Sequence, residues 1–422
     1  MATDHFQGAS GQSYVRGAPL GEGPRAGEGA TGRAWQAHRR GSGEPLVLKL
    51  FNPRFCTPAM RRRVAWLVER RLDRASPVLR APIDVVDGPL GFGHVSPFAA
   101  GVPFETYLGE PTAGFLDHLV CAAAIAAGVM AMERQGLAHG DLHAQNVRVD
   151  KRDGALRAAL IDFDNCVAPG LPPPPSIGQA RYYAPEIRRD PRPARVTAET
   201  DRYALAVLLH ELLLARHPVA AVVDTDPIRC DQVMRVGGWP DDPAGSPHPR
   251  GDEGLPVDCL DTRLQSLFRR ALGPAPEARP HGGEWFAALG NAADNVYQCD
   301  HCRRPFIVDG GKRQCPYCRR RFIDYRLCIP SRPPIVLRDK VVPLTARQLR
   351  DGGADVCQAL LRRHGPDALL EPTGRVAIAR LGERGAVPLE PRRPHLLRPG
   401  DRLRLGDVEA QVAIGPHAAA AE

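Results

Sequence analysis

The stretch AHGDLHAQNVRVD, residues 138–150, followed by ALIDFDN, residues 159–165, decides the reading of this chain. Asp141 and Asn146 stand five apart on a predicted loop that runs into a strand, and Asp162 follows a short apolar run, as at the exit of a buried strand. A hydroxyl attacking a phosphate needs a carboxylate to orient it and accept its proton, and the phosphates need a divalent cation held by oxygen ligands such as an Asn and an Asp. Turn chemistry explains any one of these residues alone. Both motifs in this order supply a set suited to phosphoryl transfer.

Working upstream, LVLKLF, residues 46–51, places a lysine inside an apolar strand of a chain with 56 Lys plus Arg of which only Lys49, Lys151, Lys312 and Lys340 are lysine. Arginine serves any snorkelling position equally well, so the choice of lysine points to a compact ammonium set between phosphates and a carboxylate. Ahead of it stands AGEGATGRAWQA, in which Gly27, Gly29 and Gly32 fit G-x-G-x-x-G and Ala34 follows where valine is usual; a second register starts at Gly21-Glu22-Gly23. Glycines in such a hairpin let the backbone approach phosphates closely. A helix is predicted from Thr57-Pro58, a capping residue followed by proline at the first helical position, and it contains one glutamate, Glu69, as the candidate carboxylate for Lys49.

Together these segments resemble the protein kinase fold over residues 15–292, after an N-terminal extension 1–14. The fold class expected is α+β, with a small β-rich lobe followed by a larger helical lobe. The resemblance implies that Lys49 pairs with Glu69 and the phosphates of ATP, that Asp141 is the catalytic base, and that Asn146 and Asp162 bind magnesium. It also implies that SPFAAG, residues 96–101, is the hinge holding adenine. RYYAPEI with Glu186, Asp201 opening a long apolar helix, and Arg279 as the partner of Glu186 extend the likeness. Three positions depart from it: Gly140 stands where arginine usually precedes the catalytic Asp, His143 where lysine faces the γ-phosphate, and Asp164 where the magnesium-binding triplet has glycine. The implied activity is transfer of phosphate from ATP to Ser/Thr hydroxyls of protein substrates. HGDLHAQN with IDFDN is also similar to aminoglycoside-type small-molecule phosphotransferases, and a nucleotide-binding scaffold is a third reading.

Downstream, CDHCRRPFIVDGGKRQCPYCRRRF pairs Cys299 with Cys302 and Cys315 with Cys318 across twelve residues. Two C-x2-C turns at this spacing predict a zinc ribbon over residues 296–325, with a closed four-thiolate Zn2+ site. Short alternating runs over residues 333–416 predict a small β-rich module, and LLRPGDRLRLGDVEAQV, residues 396–412, resembles the last strands of a forkhead-associated domain. The Ser-x-x-His and Asn-Gly features of phosphate recognition are not found there, so only the scaffold is implied. The order kinase, ribbon, β module is similar to that of bacterial kinases tied to tellurium resistance and stress response.

The whole chain sets the frame. Its net charge of +8 accompanies raised Arg, Ala, Gly and Pro, a genome-wide bias rather than a nucleic-acid stripe. MATDHFQGAS carries no hydrophobic signal, the run Leu119–Met132 is short for a bilayer, and the cysteine usage suits reduced thiols, so the expected place is the cytoplasm, without membrane. Expected partners are protein substrates and proteins docking on the ribbon and C-terminal module.

Overall fold

A computed structural model describes residues 5–21, 27–152, 155–220, 225–246, 248, 254–309, 312–338, 341–350 and 356–414. The tail GPHAAAAE and Gly23 of the second glycine register lie outside them. The chain is a mixed α/β protein in two compact units, residues 1–257 with 263–289, and residues 258–262 with 290–422.

The first unit opens with a six-stranded antiparallel sheet, made of β1 (His5–Gln7), β2 (Ser13–Pro19), β3 (Gly32–Arg39), β4 (Pro45–Phe51), β5 (Asp84–Gly88) and β6 (Gly91–Pro97). Its order is β1-β2-β3-β4-β6-β5. Residues 5–14, which carry no pattern in the sequence, thus contribute an edge strand, and the Tyr14 hydroxyl donates to buried Asp84 at 2.8 Å. A three-residue strand is too short for alternation to be legible.

The period of two in β4 sends Leu46, Leu48 and Leu50 into one core with Tyr14, Val86 and Val95. It sends Lys49 to the opposite face, with Phe51, which packs on Met60, Val64 and Phe92. Helix α1 (Pro58–Arg70) covers that face. It starts where predicted, with the Thr57 side chain accepting from the Met60 N–H at 3.2 Å. Its inward residues are Met60, Arg63, Val64 and Leu67, the i, i+3, i+4, i+7 stripe of one helical face.

Helix α2 (Leu72–Ala75) follows α1 ahead of β5, and after β6 the chain turns helical, through α3 (Phe104–Gly109) and α4 (Phe115–Arg134). By length and composition α4 is apolar enough to cross a bilayer; nine of its residues are buried. The hairpin β8 (Val147–Arg152) and β9 (Ala155–Leu160) joins β7 (Val102–Pro103) in a three-stranded sheet. Helices α5 (Pro185–Arg189) and α6 (Ala198–Leu214) follow, α6 being buried along nearly its whole length.

In the second unit, β10 (Val296–Gln298) and β11 (Pro305–Ile307) form a hairpin. Beyond it, a six-stranded and a four-stranded sheet enclose one apolar core from Tyr325 to Val412. Strand Tyr325–Cys328 of the larger sheet lies ahead of Pro333 and pairs with the last strand, Val408–Ile414.

Candidate active site

Strands β8 and β9 fix the centre of the site. The turn before β8 carries Asp141 to Asn146, and the exit of β9 carries Asp162, with Ile161 N–H donating to the Asn146 carbonyl at 2.9 Å. Asp162 adopts a left-handed backbone, φ 63°, uncommon for a residue with a side chain. Asn146 is buried, and its amide nitrogen donates to the Asp141 carbonyl at 2.9 Å, leaving its oxygen as the ligand end.

Lys49 is held by two carboxylates of the ALIDFDN segment. Its Nζ lies 2.7 Å from Asp162 Oδ1 and 2.6 Å from Asp164 Oδ2. The expected partner Glu69 is exposed near the end of α1, and among the described residues no ion pair joins it to Lys49. The reason is helical phase. The stripe of α1 facing β4 passes through residues 60, 63, 64 and 67, and position 69 falls about 200° away from 67 on the helix, on the solvent side.

Asp164, a departure from the kinase pattern, is therefore a hub. Besides Lys49 it accepts from the Thr31 hydroxyl of the glycine-rich turn at 2.5 Å, and His94 Nε2 lies 3.6 Å away. His94 is cross-strand neighbour to Lys49, as is Ala34 on the other side. Thr31 and His94, and the role of Asp164 as partner of Lys49, escape the sequence reading because no fixed spacing links residues 31, 94 and 164. The signal available in the sequence was the pair of carboxylates two residues apart, Asp162 and Asp164.

The charges follow from this packing. Burial opposes the charge on Lys49, but Asp162 and Asp164 outweigh it and raise its pKa, so it stays an ammonium. Burial would also raise Asp164; Lys49 and His94 hold it well below the usual carboxylate range. Burial and the adjacent Asp164 carboxylate push Asp162 up, with Lys49 opposing. Asp162 keeps 38% of its side chain exposed, against 4% for Asp164, so Asp162 is the carboxylate open to a ligand. Counted without the histidines, the carboxylates of Asp141, Asp162 and Asp164 against one ammonium leave two negative charges uncompensated. That deficit and the oxygen donors of Asn146 and Asp162 fit a hard divalent cation such as magnesium.

Asp141 is oriented from both sides. His143 Nε2 lies 3.1 Å from its Oδ1, and Gln145 N–H donates to His143 Nδ1 at 3.2 Å. Asn165 donates to Asp141 Oδ2 at 2.9 Å. Burial would raise Asp141, but His143 and Asn165 keep it below the usual range. A Cβ on Gly140, whose φ is 75°, would lie 2.1 Å from the Asn165 carbonyl, which explains why no arginine stands there.

Of the glycines, Gly27 and Gly32 are demanded by backbone contact: a Cβ would lie 2.3 Å from the Ala34 carbonyl and 2.2 Å from the Leu50 carbonyl respectively. Gly29 closes the hairpin, its N–H donating to the Gly32 carbonyl at 2.8 Å.

The profile of the lipopolysaccharide kinase (Kdo/WaaP) family matches residues 120–169. This is a kinase-type segment. It runs from α4 through Asp141 and Asn146 to Asp162 and Asp164, and so spans most of the cluster just described. No curated protein matches the chain.

Farther along, Arg279 makes a bidentate pair with Glu186 at 2.7 and 2.8 Å and is itself buried. Asp201, in the first turn of α6, accepts from the backbone N–H groups of His139 and Gly140. Burial pushes Asp201 up to about 7 against those two donors, and burial pushes His139 down to about 4.

The second unit holds the four-cysteine group. All four sulfurs lie within 4.8 Å of one another, with Cys299 to Cys318 at 3.7 Å and Cys302 to Cys315 at 3.6 Å. A tetrahedral ion with bonds of about 2.3 Å sets its sulfurs about 3.8 Å apart, so the cage fits zinc. The two turns are built alike. Arg303 N–H returns to the Cys299 carbonyl at 2.9 Å and Arg319 N–H to the Cys315 carbonyl at 3.0 Å, and both arginines are left-handed.

Proposed function

We propose that the chain is an ATP- and magnesium-dependent phosphotransferase acting on an acceptor hydroxyl. The observation that carries this reading is the single cluster in which Lys49 rests on Asp162 and Asp164 beside Asp141 and Asn146. We read the sheet of residues 5–97 and the helices that follow as the two lobes of a kinase fold, with the nucleotide under the hairpin 27–34.

The Lys49 ammonium would hold the non-transferred phosphates, since its two carboxylates keep it charged and aimed. Asp141, kept ionised by His143 and Asn165, would accept a hydrogen bond from the acceptor hydroxyl and take its proton as the phosphate moves. Asn146 and Asp162 would hold magnesium, which when bound supplies positive charge against the phosphate oxygens. The four thiolates would hold a structural zinc, and the ribbon and β-rich sandwich would dock partners. Eleven unbridged cysteines support action in the cytoplasm.

For the acceptor, the match to a lipopolysaccharide kinase family favours a sugar hydroxyl. A second reading, a Ser/Thr hydroxyl of a protein, is favoured by the Glu186–Arg279 pair and by Asp201 under the His139–Gly140 backbone, which brace residues 180–200 as a platform for an extended peptide. The test is transfer of label from γ-labelled ATP with magnesium, comparing wild type with Asp141→Asn. The acceptors are lipopolysaccharide oligosaccharides, an aminoglycoside panel and a generic protein. Label in a sugar from the wild type alone supports the first reading, and label in protein alone supports the second. Transfer by Asp141→Asn at the wild-type rate refutes the role of Asp141.

A further inference from the structure

The inward face of α1 buries an arginine. Arg63 is 1% exposed, and among the described residues no carboxylate pairs with it. Its fork is spent on backbone carbonyls: Nε donates to Cys166 at 3.0 Å, and Nη2 donates to Pro172 at 2.6 Å and to Pro173 at 2.9 Å. Burying a guanidinium with no carboxylate in contact is costly unless its hydrogen bonds are met; Asp164 attracts it only from a distance, and here one side chain gathers acceptors spread over eight residues of the segment after Asp162.

The acceptors mark the start of a run of four prolines, Pro172 to Pro175. Proline fixes φ and lacks an N–H, so the run is a stiff rod, bent at Pro175, that cannot bond to itself. Holding its first two carbonyls therefore sets the direction of the whole rod. At its far end, Ser176 N–H donates to Asn165 Oδ1 at 3.3 Å, and Asn165 Nδ2 donates to Ser176 Oγ at 2.8 Å and to Asp141 Oδ2 at 2.9 Å. A continuous path thus runs from α1 to Asp141: guanidinium, proline rod, Ser176, Asn165, carboxylate.

We propose that Arg63 and the rod Pro172–Pro175 form a strut that positions Asp141, so that α1 is tied to the site by a guanidinium on backbone carbonyls in place of a glutamate on Lys49. The strut rests on the phosphotransferase reading only for its effect on rate. Arg63 is a positioning residue, and it reaches the reacting groups through Asn165.

The full chain is tested with Arg63→Met, which keeps length and apolar bulk, with Arg63→Lys, and with the double variant Pro173→Gly/Pro175→Gly at two exposed positions. The first readout is amide hydrogen exchange. The strut requires the non-proline amides of residues 165–180 to exchange at least ten times faster in Arg63→Met and in the glycine variant, with β4 and α6 unchanged and Arg63→Lys between. The second readout is kinetic: a fall in kcat of tenfold or more with KM for ATP within threefold. Arg63→Met and Asn165→Ala combined should lose less than the product of their separate losses, since they act on one path. Unchanged exchange over residues 176–180 in either strut variant overturns the proposal. Should Arg63→Met fail to fold, the glycine variant decides. A wild type that transfers no phosphate sinks the phosphotransferase reading and leaves the exchange result to judge the strut alone.

Discussion

Asp164→Asn against Glu69→Gln separates two ways of holding Lys49. The amide keeps the shape of Asp164 and an acceptor for the Thr31 hydroxyl but removes the charge 2.6 Å from Lys49 Nζ, where the side chains are 11% and 4% exposed. Removing one partner of a buried pair costs about 3–5 kcal/mol when the other is stranded. Lys49 retains Asp162 at 2.7 Å, so about 2–3 kcal/mol is expected. For a unit of this size that is a fall in Tm of roughly 3–5 °C. Activity should suffer more, because Asp162 becomes the lone counterion of the lysine and is withdrawn from the magnesium it would hold. We expect kcat/KM to fall by at least about 100-fold, or about 2.7 kcal/mol. Glu69→Gln, an exposed change, should stay within about 0.5 kcal/mol and twofold in rate. Thermal unfolding with and without Mg·ATP, together with transfer of γ-label, reads both effects. A Glu69→Gln variant as impaired as Asp164→Asn, or an unimpaired Asp164→Asn, refutes the reasoning.

Two further outcomes follow from the same geometry. Metal analysis should give one zinc per chain, lost in Cys315→Ser/Cys318→Ser, and wild type without zinc would remove the ribbon assignment. Stability should fall between pH 6.5 and 4. His139 is held neutral by burial with its pKa pushed down to about 4, below the ordinary ~6.5, so its contribution is present above 6.5 and lost as pH falls toward 4. At ~1.4 kcal/mol per pH unit the limit is about 3 kcal/mol. His217, pushed down to about 3, acts in the same direction, while Asp201, raised to about 7, opposes it because its contribution is present at low pH and lost as pH rises through 7. His139→Gln should flatten the wild-type profile of Tm against pH over this window; equal acid sensitivity of the two proteins would show that His139 does not supply it.

Much of the candidate site was legible in the sequence because it is local. Asp141 and Asn146 share one turn, Asp162 closes one strand, and the glycines of residues 27–32 share one hairpin, so each announces itself by spacing along the chain. The same holds for Cys299, Cys302, Cys315 and Cys318, whose turns are set by the residues between them. The rarity of lysine singled out Lys49, and the Thr57-Pro58 signal placed the start of α1 correctly.

What the sequence by itself determined is therefore which residues make up the candidate site and the four-cysteine group, since short-range spacing suffices for both. Which carboxylate holds Lys49 was decided only in three dimensions. Phase on α1 turns Glu69 to solvent and Arg63 inward, while the turn after β9 brings Asp164 beneath β4 with Thr31 and His94. The proline run reads in sequence as a bare loop, and it becomes a path to Asp141 only once Arg63, more than a hundred residues earlier, meets its carbonyls. Contacts between residues so far apart depend on how strands and helices pack, and no spacing along the chain encodes them.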